Sequence, residues 1–214
     1  MKNLLDNRFL AYLTLVLVII FIWSGINPHD RGVWIVEMTS VLAVFFALLF
    51  TYKRFRFSNT AYFIVSLWLT MHAIGAHYTF ELVPFGIITD TFGFERNHYD
   101  RVAHFVIGLN AFGVAEFFLR KGLANSAKTA AFVGVVTIMA MANAWELLEW
   151  AYAEFDGGEV GAAFLGSQGD VWDAQKDMLC DTLGALCAVP IFLFWAKQNQ
   201  RPNRSARRGG TTAR

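Results

Sequence analysis

Six apolar stretches, at about residues 9–26, 33–52, 60–81, 99–119, 127–152 and 171–196, constrain this chain more than anything else in it. Each approaches or exceeds the roughly 18–20 residues that cross a hydrocarbon core. Lipid offers no hydrogen bonds to a backbone, so a crossing segment must be a helix or part of a closed barrel. The connections are too short for a soluble domain. The fold expected is all-α: a polytopic membrane bundle of six transmembrane helices over residues 1–197, followed by a basic disordered tail over 198–214. The composition fits, with 56% hydrophobic residues, 21 Phe and 7 Trp.

The first stretch has no clear small-x-small cleavage site and is longer than a usual signal core, so it reads as a retained span. Fourteen of the 18 Lys and Arg residues fall on one side of this scheme. They are Lys2 and Arg8, then Lys53, Arg54 and Arg56, then Arg120, Lys121 and Lys128, and six in "KQNQRPNRSARRGGTTAR". Arg31, Arg96, Arg101 and Lys176 fall on the other. The positive-inside bias therefore places both termini in the cytoplasm. The tail either rests on an anionic leaflet or is simply solvated. Cys180 and Cys187, seven residues apart on one expected helix, lie about 10 Å apart along its axis and cannot pair. Walker, dinucleotide-binding, CxxC and Gly-x-Ser-x-Gly signatures are absent, and no nucleic-acid partner is expected.

Ionisable residues inside the spans carry the functional signal. Asp170, Asp173, Asp177 and Asp181 form one helical stripe, which Gly184 continues and where it allows close approach of a neighbour. A helix entering the outer interface near residue 171 puts Asp177 about 9 Å and Asp181 about 15 Å in. A central charge costs around 2.5–3.5 kcal/mol on insertion scales, so such acids need pairing, protonation or hydration. Lys176, one residue off the stripe, can neutralise one of them. Glu146 and Glu149 share a face near the outer end of the fifth span, Asp100 and His104 near that of the fourth. In the third, His77 and Glu81 read as helical neighbours, and His72 reads either as a packing residue or as part of the site. Glu116 and Arg120 read as an ordinary helix ion pair. Cations at the outer depth are too few for a structural network. Acids in excess with imidazoles suit a divalent cation or a proton relay.

"MHAIGAHYTFELVPFG", "FGFERNHYDRVAHFVIG", "WELLEWA" and "GSQGDVWDAQKDMLCDTLGA" together resemble the YjdF family of bacterial inner-membrane proteins, over nearly the whole chain. That family has no established activity, so the resemblance implies architecture. A fainter similarity is to VanZ-like membrane proteins, on Asp100, His104 and Phe105, then Glu146 and Glu149, then Asp177, Asp181 and Gly184. Here Asp181 replaces that family's Asn, and Glu149 stands where it tends to show Gln. This likeness implies a role near the envelope.

Three functions are open. The first is a metal-dependent enzyme on a lipid or envelope-precursor headgroup. There Asp100, His104, Asp173, Asp177 and Asp181 ligate the metal, and Glu146 or Glu149 acts as general base. His72, His77, Glu81, Arg96 and Arg101 contact the substrate, the arginines holding an anionic group. The second is a proton- or cation-coupled transporter of some small-molecule ligand, although "LCAVPIFLFWA" offers no polar path inward. The third is a noncatalytic envelope scaffold.

Overall fold

The computed structural model describes residues 7–156 and 165–199; most of the basic tail lies outside them. Every regular element among the described residues is a helix. In chain order these are α1 (Arg8–Ser24), α2 (Arg31–Thr51), α3 (Asn59–Tyr78), α4 (Gly86–Phe92), α5 (Tyr99–Gly108), α6 (Ala111–Arg120), α7 (Ala127–Asp156) and α8 (Asp173–Asn199). Four start at side-chain caps: Asn7 accepts from Leu10 N–H, Asp30 from Val33 N–H, Ser58 from Ala61 N–H and Ser126 from Thr129 N–H.

Each of the six apolar stretches is helical. Four are long and apolar enough to cross a membrane: Arg31–Thr51, Tyr99–Arg120, Ala127–Phe155 and Asp173–Asn199. α1 is a shorter apolar helix of 17 residues. α3, at 20 residues, carries Ser66, Thr70, His72 and His77 and is not among the four. Two boundaries differ from expectation. The fourth stretch is two helices, interrupted at Leu109–Asn110, where Asn110 Nδ2 donates to the Ile107 carbonyl at 2.9 Å. The third ends at Tyr78, because Thr79 and Phe80 both take positive φ (56° and 55°). Phe80 N–H turns back to the Gly75 carbonyl at 2.8 Å, and its ring fills the space over Gly75. Glu81 therefore lies beyond the helix and is not a helical neighbour of His77.

Among the described residues the two larger apolar cores hold the bundle, beside a small one of Leu10, Tyr52 and Tyr62. Leu17 of α1, Met38 and Val41 of α2, and Trp68, Leu69 and Ala73 of α3 form one. Phe112 of α6, Ala130 of α7, and Ala185, Ala188 and Phe192 of α8 form the other. α5 joins them, packed on both α3 and α8. At the α5–α8 crossing the backbones touch: a Cβ on Gly184 would stand 2.0 Å from the Phe105 carbonyl oxygen, and one on Gly108 would stand 2.2 Å from that of Asp181. This glycine pair fixes the depth at which α5 meets the Asp stripe.

The two ends of the bundle are tied differently. At one, Asn7 Nδ2 donates to Asn59 Oδ1 (3.0 Å), and Glu116 accepts from Ser58 N–H (2.8 Å), Ser58 Oγ–H (2.7 Å) and Arg120 Nη1 (2.5 Å). At the other, His29 N–H donates to the His77 carbonyl (2.9 Å), and Asn97 and Gln168 exchange two hydrogen bonds, at 2.9 and 3.0 Å.

Candidate functional site

The glycine contact brings one face of α5 against the stripe of α8. His104 Nδ1 lies 2.9 Å from Asp181 Oδ2, and its Nε2 lies 3.6 Å from Asp100 Oδ1. Asp177 completes the group: one ligand atom each from Asp100, His104 and Asp177 all lie within 4.8 Å of one another. Asp177 and Asp181 are buried, at 3% and 1% exposure, and the Oδ1 of each has no hydrogen-bond partner among the described residues. Unpaired buried carboxylate oxygens are costly in an apolar medium. Asp181 meets the imidazole through its other oxygen, Oδ2.

The N-terminal end of the stripe behaves differently. Asp173 accepts from Arg96 Nη1 and, at 2.9 Å, from Arg101 Nη2. Asp170 accepts from Arg101 Nη2 (2.6 Å) and Lys176 Nζ (2.7 Å). The hydrogen bonds from Lys176, Arg101 and the Trp172 N–H hold the Asp170 carboxyl well below the usual range. Burial, and then the Arg101 and Arg96 charges, lower His98 beside it. The expected site residues at this end find partners within the protein. Asp173, expected as a metal ligand, is engaged by both arginines and is not in the group of three. Arg96 and Arg101, expected to hold an anionic substrate, are engaged with Asp170 and Asp173. Cations do suffice for a network at this end, because the two arginines reach α8 from the "RNHYDR" segment. Arg101 Nε comes only within 3.8 Å of Asp177.

α7 and α3 supply the other walls. Glu149 accepts from Trp145 Nε1 at 2.6 Å. Glu146 Oε1 is buried without a hydrogen-bond partner, within the electrostatic reach of His104, Asp177 and Asp100. His72 turns away from His77: its Nε2 meets Glu37 Oε2 at 2.8 Å, and both residues are buried. His77 instead contacts the Ser24 carbonyl (2.9 Å) and stacks on Trp23, while the Glu81 carbonyl accepts from Asn97 Nδ2 (2.9 Å). His77, Glu81, Arg96 and Arg101 thus lie outside the cavity described next.

That cavity, about 270 Å³, lies between α2, α3, α5, α7 and α8. Glu37, His72, Asp100, His104, Glu149 and Asp181 form its polar side. Val44, Trp68, Ile107, Ile138 and Met141 form its apolar side. Glu37 is the member that sequence reasoning missed. Its signal was present: it is the single ionisable residue between Gly32 and Tyr52, and a lone Glu within a membrane helix needs a partner.

The family described as "Predicted membrane protein (DUF2238)" matches residues 9–198. The inner membrane protein YjdF of Escherichia coli (strain K12) is 37% identical over 191 residues, covering 87% of this chain and 90% of the relative. The YjdF resemblance is thereby established, whereas these matches do not show the VanZ likeness. No solved structure matches.

Proposed function

We propose a function for a chain that belongs to the DUF2238 family of multi-pass inner-membrane proteins: a divalent-cation site that acts on the headgroup of a lipid or envelope precursor. The observation that carries this reading is the convergence of Asp100, His104 and Asp177, with Asp181 on the far side of the imidazole. A neutral His104 that donates Nδ1–H to Asp181 turns its Nε2 lone pair toward Asp100 and Asp177. Carboxylates commonly orient ligating imidazoles this way. Asp181 is then a positioning residue and Asp100, His104 and Asp177 the ligands. A bound cation would supply Lewis acidity. Glu146, with its free Oε1, is placed to take a proton from water, and Glu149 is held by Trp145 as its neighbour on the same wall.

The site sits in the outer half of the bundle, and both termini face the cytoplasm. Supporting this, Lys53, Arg54, Arg56, Arg120 and Lys121 gather at the end opposite the Asp stripe, as the positive-inside rule requires of a cytoplasmic face. Six spans return the chain to its starting side. The tight packing of Phe112, Ala185, Ala188 and Phe192 inward of the site favours the enzyme over a carrier, which needs access from both sides. The test pairs elemental analysis of the purified protein with a comparison of membrane lipid headgroups in cells with and without it. Stoichiometric divalent metal with an altered headgroup supports the reading; neither leaves the scaffold function.

A further inference from the structure

The cavity's charge and its open side point to what enters it. Its polar lining holds four carboxylates and two imidazoles, and among the described residues no Lys or Arg lines it. Arg96 and Arg101, the cations nearest the site, are held by Asp170 and Asp173 outside it. An anionic headgroup would therefore meet carboxylates and no arginine or lysine among the described lining residues. Asp181 presents an unpartnered Oδ1 at 1% exposure. Glu37, also in the lining, meets His72, itself 3.5 Å from Ser40 Oγ. The helices that frame the cavity also divide into two groups. α2 packs on α3, and α7 packs on α6 and α8, and both line the cavity. Exposed Ala43 and Met141 are lining residues on the two helices.

We propose that the cavity takes an amine-bearing amphiphile from the lipid phase, entering between α2 and α7. Its ammonium settles among Glu37, Glu149 and Asp181. Its chain lies along Val44, Ile107, Ile138 and Met141. An ammonium offers three donors and needs paired acceptors once desolvated, which these carboxylates supply. The volume lies just below the range of ligand pockets, about 300 to 1,000 Å³, so it holds a headgroup and a short length of chain. The proposal deepens the substrate side of the function above. It rests on that cavity but not on the cation.

The test uses full-length protein in mild detergent with chelator present, and follows thermal melts against n-alkylamines from butyl to decyl. Matched alcohols and alkyl phosphates serve as comparisons. Amines are expected to raise the melting temperature with concentration, each methylene tightening binding about fourfold until the apolar side is filled. Alcohols and phosphates of the same length bind at least about tenfold more weakly, the worth of charge-assisted hydrogen bonds. Glu37→Gln weakens the amine by about tenfold. Ala43→Trp, at an exposed position that tolerates the ring, removes the chain-length dependence. Equal responses to amine, alcohol and phosphate, or an amine response unchanged in both variants, overturn the proposal. A divalent-metal titration without amine separates the two readings. An absent metal response with an intact amine response removes only the cation, and the converse removes only this proposal.

Discussion

Glu116 and Glu37 are both lone acids in apolar helices, and their partners give them different work. Glu116, fully buried, gathers Ser58 N–H, Ser58 Oγ–H and Arg120, tying the start of α3 to the end of α6. Glu116→Ala leaves those donors unpaired and should cost about 2–3 kcal/mol, discounted for the half-exposed Arg120, while Glu116→Gln should cost about half that. Chemical unfolding in detergent measures both. A negligible loss in the alanine variant would contradict the capping role. Asp170 carries a pH signature. Its folded carboxyl is depressed by Lys176, Arg101 and the Trp172 N–H. It therefore adds stability above the unfolded value of roughly 4, and loses it as pH falls through the lower folded value. Asp170→Asn should flatten the acid limb of a melting-temperature profile below about pH 4 and leave Lys176 idle. An unchanged acid limb would contradict this.

α5 and α8 owe their register to glycine. A methyl group on Gly184 meets the Phe105 carbonyl at 2.0 Å, and backbone cannot yield as a flexible side chain does. Gly184→Ala should cost at least about 3 kcal/mol and move His104 off Asp181. A variant as stable as the parent, with an unaltered metal response, would show that the close approach is dispensable. At this scale much was legible. The three- and four-residue spacings placed Asp100 with His104, and Asp177 with Asp181, on single faces. Gly184 marked where a neighbour comes near. What failed was local backbone: nothing in "HAIGAHYTFE" announces the two left-handed residues that end α3, and Asn110 gave no sign of breaking the fourth stretch. Glu37 was overlooked because a lone acid has no periodicity to reveal it, and its partner His72 lies 35 residues away in sequence.

The whole molecule sorts its charges by depth and end. Arginines from the "RNHYDR" segment engage Asp170 and Asp173, while Asp181, further along α8, pairs with His104. Composition shows the surplus of acids, but only tertiary packing decides which of them receive cations. The topology predicts that, in a chain with Cys180 and Cys187 replaced by alanine, Ser167→Cys reacts with an impermeant thiol reagent from outside. Leu123→Cys, at an exposed site on the opposite end, does not. The reverse pattern overturns the orientation.

The central claim is that a divalent cation binds between Asp100, His104 and Asp177. Removing one carboxylate weakens cation binding and relieves repulsion among the remaining acids. Asp177→Asn should therefore be at least as stable as the parent with chelator present, and should gain little on metal addition, whereas the parent gains by mass action. Thermal melts of the two proteins across a divalent series test this. Parallel rises in melting temperature, or equal loss of stability in Asp177→Asn at every metal concentration, would contradict the cation site.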